Sequence, residues 1–213
     1  MQTTYNDIRK AVIRSQHCQR NWNLDKVIPE EDIDLLVHAV TQCPSKQNMS
    51  FYKVHFITDR NVIENIHSNT DGFTINYVTG ASKTNSQTLA NLLLVFEATN
   101  PLNNAEVVND ETYNAAEGKL TQEDIDNINK DTNVAVGIAA GYANLTASML
   151  GLSTGCCSCF NPEPIKEIIG ANNKLMLLMG IGYKDETRNR REHHSEEFVF
   201  PTKSKQLIEI NRI

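Results

Sequence analysis

The sequence predicts a single α+β domain. Helix-period and strand-period segments are interspersed, a long helical segment precedes the last main strand, and 213 residues suffice for one sizeable core. No internal repeat or low-complexity tract divides the chain, so the expected organisation is one domain over 1–213, with a variable insertion at about 99–130 and a C-terminal arm at about 192–213.

The first helix is expected from Thr4 to about Cys18, because Ile8, Ala11, Val12 and Ser15 fall on one face. A second runs from Pro29 to the region of Pro44. Proline suits its first turn, Glu30, Glu31 and Asp32 complement the positive end of its dipole, and Ile33, Leu36, Val37 and Val40 form its apolar stripe. Phe51 to Asp59 alternates and is rich in aromatic and β-branched residues, which reads as a strand, with a helix following from Arg60 to about Ser68. Leu89 to Ala98 contains a near-continuous apolar run, the pattern of a strand covered on both faces. The polar stretch 99–130 reads as an irregular insertion with a short helix near "TQEDIDNIN".

Asp131 to Leu152 is expected to be one long helix capped by Asp131 or Thr132. It is rich in small residues. Gly137 and Gly141 each cost about 1 kcal/mol relative to alanine, a loss that close approach of another backbone would offset, either centrally or at a subunit interface. The segment "STGCCSCF" (Ser153 to Phe160) reads as a loop leading to a short helix, Pro162 to Gly170, and a buried strand over Lys174 to Tyr183. The tail, with "RNRREHH", "FVFP" and "KQLIEINRI", has too little core of its own and is expected to lie on its own domain or on a partner chain.

A formal charge of −6 argues against a nucleic-acid or anionic-membrane surface. No apolar run is long enough to cross a bilayer, and the first residues lack a secretory apolar stretch, so the expected location is cytoplasmic. Five cysteines, an odd count, do not suggest a disulfide framework. The glycines spell neither G-x-G-x-x-G nor a phosphate loop. Cys156, Cys157 and Cys159 suggest zinc, a redox dithiol, or merely small residues. Zinc needs about four ligands, and no second Cys or His cluster offers them, so no metal is expected.

Three segments carry a more specific signal: "RSQHCQRNW" (Arg14 to Trp22), "CPSKQNMSFY" (Cys43 to Tyr52) and "LGLSTGCCSCFNPEPIKEIIG". In this order the chain resembles the FMN-dependent nitroreductase family, which has R-R-S-x-R-x-F at the end of a first helix, A-P-S-x-x-N-x-Q-P-W before a strand, and L-G-L-G-T-x-x-x-G-F after a long small-residue helix. The likeness runs from Arg14 to about Arg191.

The resemblance implies a mostly antiparallel central sheet flanked by helices, an intertwined homodimer with an extended C-terminal tail, and FMN at two sites between subunits. It implies ping-pong hydride transfer from NADH or NADPH through FMN to a small-molecule acceptor such as a nitroaromatic or quinone. Relatives of this fold that fragment flavin or dehalogenate aromatics, and a non-catalytic FMN-binding protein, are the alternatives. By position, Arg20 would reach the flavin's pyrimidine edge. Gln16 and Cys18 stand where the family has Arg and Ser, so either Arg14 or the distal basic run would serve the phosphate. Pro44, Ser45 and Asn48 match the second motif, while "SFY" departs from Q-P-W. Arg188 and Arg190 fit the family's K-x-R and would pair with the phosphate, with Arg191 a close alternative. Lys83, Asn85 and Gln87 lie where the family places a ring contact. Cys157, Ser158 and Cys159 would form the loop over one flavin face, with the backbone N–H of Ser158 or Cys159 at flavin N5. No side chain is expected to act as a catalytic acid or base, because the flavin carries the chemistry.

Overall fold

The computed structural model describes residues 4–74, 82–99, 121–201 and 204–212. Eleven elements are described: α1 (Tyr5–Ser15), α2 (Glu30–Thr41), β1 (Tyr52–Ile57), α3 (Arg60–His67), β2 (Phe73–Thr74), β3 (Ser82–Lys83), β4 (Leu92–Ala98), α4 (Gln122–Met149), β5 (Ser153–Cys157), α5 (Pro162–Ile169) and β6 (Leu175–Gly182). The main sheet is antiparallel with strand order β1-β4-β6-β5, and β2 pairs with β3 separately. The fold is α+β, as the pattern of elements predicts.

β4 explains its own unbroken apolar run. Leu92, Leu94 and Phe96 face the cluster made with α2 and α4, whereas Leu93 and Val95 face the one made with α3 and α5. Period-two alternation therefore presents both sets of side chains to helices, and each is fully buried.

Two elements differ from the sequence expectation. The long helix is not capped at Asp131 or Thr132. It starts nearly three turns further upstream, where Thr121 and Asp124 form a capping box, so the "TQEDIDNIN" segment is its first part rather than a separate helix. Asp131 pairs instead with Lys46 at 2.6 Å. "STGCCSCF" is not simply a loop: Ser153–Cys157 is the edge strand β5, paired along β6 from Ser153↔Gly182 to Cys157↔Leu178. Its small residues obscured a strand that neighbours, rather than propensity, hold in place.

α4 packs through alanines. Ala139, Ala143 and Ala147, four apart, are fully buried, and Ser148 Oγ donates to Ala11 O at 2.8 Å where α1 crosses. A Cβ built at Gly137 or Gly141 would meet nothing in this chain within 4 Å. Residues 204–212 form neither helix nor strand and are exposed, with Leu207 bare to solvent. Among the described residues no helix is long and apolar enough to cross a membrane.

Glu97, fully buried at the end of β4, anchors the sheet's far end. Its carboxylate accepts from His55 Nε2 (2.8 Å), pairs with Lys53 Nζ (3.0 Å), and accepts the backbone N–H groups of Asn172 (3.2 Å) and Asn173 (3.0 Å). Burial alone would raise this carboxyl, but the bonds from His55, Lys53, Asn173 and Asn172 outweigh it and hold the pKa at about 2. Glu97→Gln is expected to lower stability by about 3 kcal/mol at neutral pH. Because the folded-state pKa lies below the ordinary 4.5, the carboxylate's contribution is present above that value and lost as pH falls toward 2. Thermal unfolding of the two proteins should therefore converge over that interval. A constant gap down to pH 2 contradicts the network.

Candidate functional site

After α1 the chain runs as an extra ribbon along β5 and the end of β6. Cys18 bridges Thr154, Gln19 N–H donates to Thr154 O (2.8 Å), Asn23 N–H to Tyr183 O (2.8 Å), and Asp185 N–H to Asn21 O (3.1 Å). The seat for this ribbon is cut by two glycines that face each other across the strands, Gly155 and Gly180. A Cβ on Gly155 would stand 2.7 Å from Gln19 O and 2.8 Å from Gln87 Cβ, and one on Gly180 would stand 2.1 Å from Gln87 O. The Ser86–Thr88 turn is thus pressed into a notch that only glycine leaves open.

Arg20 projects from this ribbon. Its Nε and Nη1 are buried and have no hydrogen-bond partner among the described residues. The Phe200 ring lies 4.6 Å from the guanidinium carbon, covering one face. Burial lowers the pKa of Arg20, and the nearby Arg190 and Arg191 push the same way, against an opposing effect of Cys18. A guanidinium's donors lie in its plane, so the aromatic cover satisfies none of them. Two donors of the fork are shielded from water and meet no acceptor among the described residues.

Beside it is a basic cleft of about 710 Å³ whose lining includes Arg14, His17, Lys184, Arg188 and Arg190. Among the described residues Arg190 makes no hydrogen bond or ion pair. Arg188 differs. Its Nη1 and Nη2 donate to His194 O (2.5 Å) and His193 O (2.8 Å), and its Nε to Glu192 (3.3 Å). Arg14 reaches Ser148 O at 3.1 Å, and Arg191 Nε donates to Phe200 O at 3.0 Å.

The other expected site residues fall into three places. Gln16 and Cys18 lie on the ribbon, Gln16 exposed and Cys18 half-buried. Asn85 and Gln87 are buried under it: Asn85 Oδ1 accepts Gln87 N–H (3.1 Å), and Gln87 fills the glycine notch. Lys83 pairs with Glu196. At the end of β5, Ser158 and Cys159 are exposed, while Cys157 is buried with Sγ donating to Cys159 O at 3.3 Å. Burial pushes the Cys157 thiol up to about 11, despite opposing bonds, so it stays protonated and poorly nucleophilic at neutral pH. Among the described residues no group of three or more His, Cys, Asp or Glu converges as a metal site would require.

Pro44, Ser45 and Asn48 stand apart from all of these. Ser45 and Asn48 line a separate cavity of about 660 Å³ between α2 and β1. Gln47 and Asn48 both have positive φ, 54° and 55°, a sharp turn that displays their side chains. With strand order β1-β4-β6-β5, this cavity lies at one edge of the sheet and the basic cleft at the other.

Sequence reasoning missed His17, Lys184 and Phe200. Lys184 follows β6 directly, a position that could have been paired with the Arg14 segment had the ribbon been foreseen.

The model of the Nitroreductase family matches residues 13–183, and the chain belongs to that family. Solved structures with the same fold include an Exiguobacterium sibiricum protein in complex with FMN (14% identity, 89% of this chain and 92% of that one, TM-score 0.63). Others are a Staphylococcus epidermidis protein described as a candidate NAD(P)H:FMN oxidoreductase (19%, 94% of each chain, TM-score 0.61) and an FMN-dependent nitroreductase of Clostridium difficile (17%, 82% and 86%, TM-score 0.54). No match is found among curated proteins.

Gly180→Ala drives a Cβ into the backbone carbonyl of Gln87, which cannot swing aside. It is expected to cost about 3 kcal/mol, measured by chemical unfolding. A loss below about 1 kcal/mol would mean the notch is not a tight seat.

Proposed function

We propose that this chain is an FMN-dependent oxidoreductase acting as a cytoplasmic homodimer, taking electrons from NADH or NADPH and passing them to a small organic acceptor. The observation that carries the reading is Arg20: a half-buried cation with two buried in-plane donors that meet no acceptor among the described residues. Such a fork suits the carbonyl edge of a planar heterocycle, where negative charge develops on reduction. FMN, when bound, supplies the hydride chemistry.

The residues of this chain would then orient, bind and exclude water. Arg20 would hold the pyrimidine edge. Arg190, with Arg14, His17 and Lys184, would take the phosphate in the basic cleft, and Arg188, its donors directed at the backbone of 193–194, would shape that cleft. The exposed backbone of Ser158 and Cys159 would face the ring, where the family resemblance puts the N5 donor. Asn85 and Gln87 would support the ribbon that presents Arg20. Gln16 and Cys18, standing in place of a charged residue and a hydroxyl, would leave the phosphate to the distal arginines.

Pro44, Ser45 and Asn48, at the opposite sheet edge, would complete the site of a second copy. Three features support the dimer. α1 exposes Tyr5, Ile8, Val12 and Ile13, α4 exposes Val134, Tyr142 and Met149, and residues 204–212 present Leu207, Ile208 and Ile210 with nothing of their own chain beneath. Gly137 and Gly141, open within one chain, would allow a second helix to come close.

The test is reconstitution with FMN, followed by rapid mixing with NADH or NADPH. Wild type should bind the flavin and bleach it on mixing. Arg20→Ala and Arg190→Ala should each weaken FMN binding by about 10- to 100-fold, the value of one charge-assisted contact. Unchanged affinity in both variants would overturn the site, and a protein that takes up no FMN would overturn the function.

A further inference from the structure

The segment 191–200 folds back over the ribbon and is held by two adjacent histidines in an unusual way. His193 is fully buried, and its Nδ1 accepts two backbone N–H groups, from Ser195 (3.2 Å) and Glu196 (3.1 Å). Its proton must therefore sit on Nε2, which faces Thr84 Oγ1 (3.2 Å) and Glu196 Oε1 (3.5 Å). His194 repeats the device: its Nδ1 accepts the backbone N–H of Trp22 at 3.4 Å. Neither nitrogen can accept once protonated. The His193 ring stacks on Phe200 (5.8 Å between centroids, 20° between planes), and Phe200 is the ring that covers Arg20. The strap closes on itself through Phe200 N–H to Arg191 O (2.7 Å) and Arg191 Nε to Phe200 O (3.0 Å).

We propose that residues 191–200 form an acid-released strap in which neutral His193 and His194 hold Phe200 against Arg20, making both histidines positioning residues for the flavin contact. The positioning role rests on the reading of Arg20 given above; the strap itself does not. Phe200 covers a face of the guanidinium and leaves its in-plane donors open, so the closed strap supports Arg20 without blocking it. On acidification each Nδ1 gains a proton directed at backbone N–H groups, and the acceptor is lost. Charges of both signs face the rings. Arg60 and His67 lie on the α3 side, Lys83 on β3, and Arg188 on the strap's own base, while Glu196 and Asp185 carry the opposite sign. Burial is the first cause that lowers the pKa of both histidines from the ordinary 6.5; at His193 Glu196 and Thr84 oppose it while Lys83 and Arg188 add to it, and at His194 Arg188, Arg60 and His193 reinforce it against Asp185. A lowered imidazole stabilises the closed strap fully above that value and progressively less below it. His67 is held at about 4, chiefly by burial, so it stays neutral through the range in which the strap should open.

Amide hydrogen exchange of the full-length protein, corrected for intrinsic rates, reads the strap directly. Between about pH 7.5 and about pH 5, protection of the Ser195, Glu196 and Phe200 amides should fall by about tenfold or more. In His193→Asn/His194→Asn, where an amide oxygen can accept in place of Nδ1 without titrating, the change should be under about twofold. Equal protection at both pH values in wild type, or an undiminished loss in the double variant, overturns the proposal. If the double variant does not fold, the imidazole titrations of wild type decide, by nuclear magnetic resonance. A His193 or His194 midpoint that tracks the loss of strap protection supports the strap, and midpoints that do not overturn it. With FMN bound, affinity should fall with acid more steeply in wild type than in the double variant, and parallel curves overturn the positioning role. Absence of FMN binding at neutral pH is a separate result: it removes the flavin reading and leaves the exchange experiment to judge the strap.

Discussion

An arginine with two buried donors that meet no acceptor among the described residues is a constraint that the rest of this molecule is arranged around. Removing a cation from water costs several kcal/mol unless something replaces the lost hydration. Arg20 receives partial compensation from the Phe200 ring, but its Nε and Nη1 remain unanswered. Neighbouring Arg190 and Arg191 make the position less favourable still. Positive charge concentrated this way, on a ribbon held by several backbone bonds, would serve as a preorganised electrostatic site under the proposed function: its unfavourable interactions are set by folding and would be relieved by an anionic or carbonyl-bearing ligand.

The remainder of the fold explains how such a residue is held. β4, buried on both faces, fixes the sheet, and β6 and β5 extend it to the edge where the ribbon lies. Gly155 and Gly180, opposite one another, lower the sheet surface enough for Gln87 to sit in it and for Gln19 to pass over it. α4 meets α1 through polar side chains, with Ser148 Oγ donating to Ala11 O, Asn144 Nδ2 to Ser15 O and Arg14 Nη1 to Ser148 O, which fixes the end of α1 beside the basic cleft. Adding one methyl group at the notch would move the same ribbon that carries Arg20, so stability and site geometry are coupled here.

The sequence carried the fold further than the site. Periodicity marked α2 and β1, continuous apolar runs marked β4 and β6, and the proline and glycine at its ends marked α5, each to within a few residues. β5 was not readable as a strand, since "STGCC" has no large apolar residue and owes its extended form to β6 and the ribbon. The early start of α4 was hidden because its first turns are polar and exposed. Among site residues, the arginines were legible as charge in pattern. Their division of labour was not: Arg188 is turned to backbone carbonyls and Arg190 is left open, a difference that depends on how residues 191–200 fold back. Gln87 and Asn85 were legible as polar side chains near a strand, but their tight burial follows from two glycines far along the chain.

The Ser45–Asn48 turn and the basic cleft lie at opposite edges of one chain's sheet, and the account joins them across two copies. Subunit mixing tests that claim most directly. One chain would carry Arg20→Ala and Arg190→Ala, the other Asn48→Trp, each with its own affinity tag, and the mixed dimer would be isolated by both. If each site draws on two chains, the mixed dimer contains one intact set of residues and should bind one FMN, while each parent variant alone binds it poorly. A mixed dimer that binds flavin no better than its parents would contradict the shared site.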